Sequence, residues 1–78
     1  VKQLTLLTRA GCHLCEDAAV VVAGAAADAG IGFTELDVDT DPELCGEYGD
    51  MVPVVLIDGV QHGYFVIDPV RLRLALGV

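Results

Sequence analysis

Cys12 and Cys15 stand three positions apart in RAGCHLCEDA, residues 9–18, and that spacing admits three kinds of chemistry. Two sulfurs one helical turn apart can close a disulfide ring, supply half of a tetrahedral metal site, or pack. If the pair opens a helix, Cys12 lies beside unpaired N–H groups and the positive end of the macrodipole, which stabilise a thiolate. Cys15 then carries its sulfur on the same face and can attack a mixed disulfide formed at Cys12. One exposed attacking thiol and one shielded resolving thiol are what disulfide exchange requires.

The neighbours tune this chemistry. A protonated or hydrogen-bonding His13 stabilises the Cys12 thiolate and makes the disulfide more oxidising, while Glu16 and a net charge of −8 act the other way. Arg9 is the one cation near the pair in sequence and the natural contact for an anionic thiol substrate, with an ordinary solvated charge as the plainer reading. A tetrahedral metal site needs four ligands, and only His13, Cys45 and His62 could join the two sulfurs; no metal is expected. Cys45, beside Leu44, reads as a small packed side chain, and His62 as a surface residue.

These residues must be positioned by the elements around them. QLTLLT (3–8) is an apolar run suited to a buried strand, and RAG follows as a loop. From Cys12 the apolar spacing becomes helical, with Leu14, Ala18, Val21, Val22, Ala25 and Ala29 inward, and Gly30 or Gly32 ends the helix. GFTELDVD (32–39) alternates as a second strand, with Thr34, Leu36 and Val38 on one face and Glu35 and Asp37 on the other, an acidic face that suggests a sheet edge. Thr40 or Asp41 caps a short helix that has Pro42 at its first position and Gly49 at its close.

MVPVVLIDGVQHGYFVI (51–67) reads as a hairpin turning at Asp58 and Gly59, with Pro53 at the start of its strand. Asp68 and Pro69 open a last helix, with Val70, Leu74 and Leu76 inward and Arg71 and Arg73 outward. The order βαβαββα defines a single α/β domain over residues 1–78, without repeat or linker. A right-handed crossover makes the first two strands parallel and the hairpin supplies antiparallel pairing. The expected product is a four-stranded mixed sheet with helices on both faces.

Composition narrows the function. Twelve acidic residues against four basic ones, spread along 78 positions, argue against nucleic acid or an anionic membrane as partner, and the acidity also serves solubility. An odd set of three cysteines is not the disulfide framework of a small secreted domain, so a reducing, cytoplasmic compartment is expected. The longest apolar run, AAVVVAGAAA (18–27), is too short to cross a bilayer, and VKQLTLLT has no signal-peptide pattern. The chain begins at Val1 rather than methionine, which leaves a trimmed N-terminus open.

A strand, a CxxC at a helix start and Val52-Pro53 opening a hairpin together resemble the thioredoxin fold in its short glutaredoxin form, over the whole chain. LLTRAGCHLCEDA is similar to small bacterial glutaredoxin-like proteins with a GCxLC signature. The resemblance implies that Cys12 is the nucleophile, Cys15 the resolving thiol and Pro53 a cis proline facing them. It also implies that the Val52 backbone pairs with a bound peptide or glutathione as an added strand; Arg9 and His13, from their places beside the cysteines, are the other candidate substrate contacts. The implied activity is that of an enzyme, a monomeric dithiol–disulfide oxidoreductase acting on protein or mixed disulfides. No bound cofactor is expected, and glutathione or a thioredoxin-reductase-like partner would return the electrons.

Two departures from that pattern bear on glutathione. His-Leu replaces the usual Pro-Tyr between the cysteines, and HGYFVIDP offers one glycine with bulky Tyr64 and Phe65 where paired glycines and an acidic residue hold the γ-glutamyl end. Glutathione is anionic and so is this chain, and weak glutathione-dependent activity is expected. Two other classes remain: a metal-binding or metal-delivery module, and a non-catalytic thioredoxin-fold binding module. Small copper carriers also place CxxC between strand and helix, with Met where this chain has Ala10.

Overall fold

In the computed structural model, which describes residues 2–77, the chain runs β1 (Leu4–Thr8), α1 (His13–Ala29), β2 (Phe33–Asp37), α2 (Pro42–Tyr48), β3 (Val54–Ile57), β4 (Val60–Tyr64) and α3 (Pro69–Leu76). Val1 and Val78, the two ends of the expected domain, lie outside the described residues. The strands form one mixed sheet in the order β2-β1-β3-β4. β1 pairs with β2 in parallel and with β3 antiparallel, and β3 pairs antiparallel with β4. This is the α/β architecture expected from the sequence, with the acidic strand β2 at an edge.

Alternation along β1 divides the core. Leu4 and Leu6 point to one face, where they meet Ala18, Val22, Ala25 and Ala26 of α1, Val55 of β3, Ile67 and Leu72 of α3. Leu7 points to the other face and joins Val38 and Val54 in a smaller cluster packed by Leu44 and Tyr48 of α2 and by Met51, Val52 and Leu56. Helices therefore cover both sides of the sheet. Small alanines on α1 let the helix lie close to the strands, and burial of the larger side chains contributes most of the stabilisation, about 1.5–3 kcal/mol for each fully buried Leu or Val.

Caps and turns fix where the elements end. Gly30 takes the left-handed conformation (φ 70°) that closes α1, a conformation glycine adopts without the Cβ penalty of other residues. Asp41 and Asp68 accept backbone N–H groups at the starts of α2 and α3, each followed by a proline. At the hairpin, Asp58 (φ 53°) and Gly59 (φ 82°) both have positive φ, as a two-residue turn matched to strand twist requires. The Asp58 carboxylate also accepts the Gln3 N–H at 2.8 Å, tying the turn to the start of β1.

Several expectations need correction. β2 ends at Asp37, and Val38–Thr40 form a single 3-10 turn capped by the Asp37 carboxylate; this turn carries Val38 into the core under α2. β4 ends at Tyr64 because the chain bends at Phe65 (φ 62°), whose N–H bonds back to the carbonyl of Pro53. Leu14 of α1 is exposed and Cys15 takes the inward position instead.

The largest correction is the face of α3. Leu72 is 0% exposed, with Leu76 packed beside it, whereas Val70 (64%) and Leu74 (69%) face outward. Arg73 packs over α1, where its Nε donates to Asp28 Oδ2 at 2.7 Å.

Candidate functional site

The CxxC pair sits where β1 hands the chain to α1. Cys12 is the N-cap of α1, with extended backbone (φ −96°, ψ 110°), and its Sγ accepts the Cys15 N–H at 3.2 Å. A sulfur here does the work that a Ser or Asp oxygen does at other helix starts. Cys12 is half-buried and Cys15, one turn on, is 5% exposed. The thiols are thus unequal in access, and no disulfide joins them.

Burial pushes the Cys15 thiol up to about 11, helped by its hydrogen bond with Cys12 and by the nearby Cys12 and Glu35 charges, with the Arg9 backbone N–H opposing. Cys15 is therefore a neutral thiol at pH 7, the form that suits a shielded position.

A thiol bound more tightly to its proton in the folded chain stabilises the fold below the unfolded pKa, and that contribution disappears as pH rises through the folded value. Stability should accordingly fall between about pH 9 and 11 by an amount on the order of 2 kcal/mol. Urea midpoints measured across that range should decline less in Cys15→Ala than in the parent chain. Equal slopes would contradict the assignment.

An open cleft of about 380 Å³ lies against the pair, lined by Thr8, Arg9, Gly11, Cys12, Cys15, Glu16, Ala19, Glu35 and Asp37 among others. Glu35 and Asp37 belong here because of register. Leu6 pairs with Glu35 and Thr8 with Asp37, and paired residues of parallel strands share a face, so both carboxylates lie on the α1 side of the sheet. The sequence alternation separates these two residues from Thr34 and Leu36 correctly but does not say which set faces α1. Only the partner strand decides that.

Arg9 is held by the protein itself. Its Nε and Nη2 donate to the Asp39 carboxylate at 2.8–3.1 Å and its Nη1 to the Gly49 carbonyl at 3.3 Å, while Cys45 Sγ lies 3.5 Å from Nη2. Hydrogen bonds and charge from Arg9 hold the Asp39 carboxyl below its usual range, and Asp39 in turn raises the Arg9 guanidinium. Cys45 is half-buried between these two charges rather than packed in the core. No sequence pattern signals this contact, because Arg9 and Asp39 are 30 positions apart.

His13 is almost wholly exposed, with Nδ1 3.6 Å from Glu16 Oε2. His62 is half-buried on β4. Val52-Pro53 is a cis peptide directly before β3, and no hydrogen bond engages the Val52 backbone among the described residues. On the opposite flank of the first turn of α1, Leu14, Val21, Phe65 and Val66 line a smaller apolar groove of about 160 Å³. Among the described residues, no three His, Cys, Asp or Glu side chains converge as a metal-ligand set. No described helix is long and apolar enough to cross a membrane.

A four-stranded mixed sheet covered by helices on both faces, with a cysteine pair opening α1 and a cis-proline before β3, defines a thioredoxin-fold domain. A thioredoxin of Halobacterium salinarum superposes with a TM-score of 0.69 at 26% identity, over 96% of this chain and 71% of that one. Residues 3–76 match the model of the Glutaredoxin-like domain (DUF836), and the chain belongs to that family. An uncharacterized protein of Mycobacterium tuberculosis is 42% identical, covering 91% of this chain and 78% of its own length. A crystal structure from X. campestris superposes with a TM-score of 0.78 at 35% identity, over 95% of each chain.

Proposed function

We propose that this domain is a dithiol–disulfide oxidoreductase acting through Cys12 and Cys15 on protein or mixed disulfides. The observation that carries the reading is the inequality of the two sulfurs: Cys12 half-buried at the helix N-cap, Cys15 buried one turn behind it. The Cys12 thiolate attacks one sulfur of the substrate disulfide, forming a mixed disulfide and expelling the first substrate thiolate, which takes up a proton. Cys15 then loses its proton to solvent, and its thiolate attacks Cys12 Sγ. The second substrate thiol leaves, the substrate has gained two electrons and two protons, and the protein holds a Cys12–Cys15 disulfide.

Val52 and Pro53 serve as the backbone edge along which an extended substrate lies, its main chain pairing with Val52. His13 stands at the mouth of the site, and Arg9 holds the loop before Cys12 against Asp39. A thiol reductant, either glutathione or a reductase, returns the dithiol. The reading assigns the monomer to a reducing compartment such as the cytoplasm, which keeps the pair in the dithiol form.

The step at Cys15 gives the test. Cys15→Ser, mixed with 2-hydroxyethyl disulfide, should accumulate one stable adduct at Cys12, whereas the parent chain passes through that adduct to the internal disulfide. Intact mass after acid quench distinguishes the two. A folded Cys15→Ser protein that traps no adduct would overturn the reading.

A further inference from the structure

The cleft that exposes the two sulfurs is lined by three carboxylates and by one cation that is already engaged. Glu16 comes from α1 and Glu35 and Asp37 from β2, on the same face as Cys15. Arg9, the basic residue in the lining, is bound to Asp39. His13 Nδ1 lies 3.6 Å from Glu16 Oε2. Glu35 receives a 3.5 Å hydrogen bond from Thr8, and Asp37 accepts the Asp39 N–H; among the described residues neither has a cationic partner.

Elsewhere Arg73 is bound to Asp28 and Lys2 donates to the Ala75 carbonyl. The charged side chains lining the cleft are thus predominantly acidic, and the chain as a whole carries −8.

We infer that the preferred substrate of this site is a disulfide carrying positive charge close to the reactive sulfur, as in a cystine flanked by lysine or arginine, and not an anionic disulfide such as that of glutathione. The inference rests on the oxidoreductase reading and names its substrate class. A cation bound near Glu35 and Asp37 gains Coulomb energy at the protein surface, where the effective dielectric is below that of bulk water. It also relieves the repulsion between those carboxylates and the thiolate formed during exchange. An anion meets the reverse on both counts, and Arg9 does not offset it while Asp39 holds the guanidinium.

Three small disulfides test this at pH 7.5 with the reduced 78-residue chain: cystamine (cationic), 2-hydroxyethyl disulfide (neutral) and dithiodipropionate (anionic). Each oxidation rate is normalised to the rate of the same disulfide with dithiothreitol, which removes differences in leaving-group reactivity. At low ionic strength cystamine should be favoured over dithiodipropionate by about tenfold or more, and salt near 0.5 M should reduce this to about twofold.

In Glu35→Gln/Asp37→Asn the low-salt preference, read as the ratio of the two charged disulfides, should fall by at least about threefold. Asn retains the capping acceptor at position 37, so the 3-10 turn is kept. Glu43→Gln/Glu47→Gln removes the same net charge from α2 and should leave the preference intact.

Equal normalised rates for the two charged disulfides would overturn the inference while leaving the oxidoreductase reading standing. So would a preference that survives Glu35→Gln/Asp37→Asn and is lost in Glu43→Gln/Glu47→Gln. If the neutral disulfide also fails to oxidise the folded protein, the oxidoreductase reading falls and the substrate class falls with it.

Discussion

Cys12→Ser is expected to lower the rate of disulfide cleavage by about three orders of magnitude or more, because the reaction needs a thiolate and serine has no comparable anion at neutral pH. The fold should survive. Serine is among the favoured helix N-caps, and its oxygen can accept the Cys15 N–H that Cys12 Sγ now accepts at 3.2 Å. Loss of activity can then be assigned to the missing sulfur. Single-turnover oxidation with excess 2-hydroxyethyl disulfide, read by intact mass, separates the species: the parent chain loses two hydrogens, Cys15→Ser gains one adduct, and Cys12→Ser does neither on the same timescale.

Cys15 and Cys45 make that comparison demanding. Cys15 is buried and its thiol holds its proton up to about pH 11, so it should not substitute as the attacking group. Cys45 is half-buried, with its Sγ 3.5 Å from Arg9 Nη2 and 3.8 Å from Asp39 Oδ1. An adduct on Cys12→Ser that disappears in Cys12→Ser/Cys45→Ser would report a second reactive thiol. Oxidation of Cys12→Ser at the parent rate would reverse the assigned roles of the pair.

The site was legible in the sequence to the extent that its signals are local. CxxC after an apolar strand, Asp58-Gly59 between two β-rich runs, and Asp before proline at Asp41 and Asp68 are patterns a few residues long, and each one marks the element found there. The cis Val52-Pro53 bond came through family resemblance, since no local chemistry demands it.

What was not legible depends on partners far along the chain. Glu35 and Asp37 face the cysteines because β2 pairs in a particular register with β1, and a five-residue edge strand with polar residues on both faces does not reveal which face is covered. Likewise the engagement of Arg9 by Asp39 turns an apparent anion contact into a structural tie. Both contacts underlie the substrate class inferred above.

The last helix failed for a different reason, and it supplies a second large effect. In PVRLRLAL the apolar residues alternate with polar ones, so stripes through Val70 and Leu74 or through Leu72 and Leu76 are equally good helical faces by spacing alone. Ile67 and the Arg73–Asp28 bond decide between them by docking α3 on α1 with Leu72 inward. Leu72→Ala should therefore cost about 2–5 kcal/mol through lost burial and a cavity, a large share of the roughly 4–12 kcal/mol expected for a domain of this size. Leu74→Ala, on the exposed face, should stay within about 0.5 kcal/mol, since alanine is at least as good a helix former. Urea unfolding of both variants is decisive: the Leu72→Ala midpoint should collapse while that of Leu74→Ala barely moves, and the opposite order would mean that α3 docks through the face containing Val70 and Leu74.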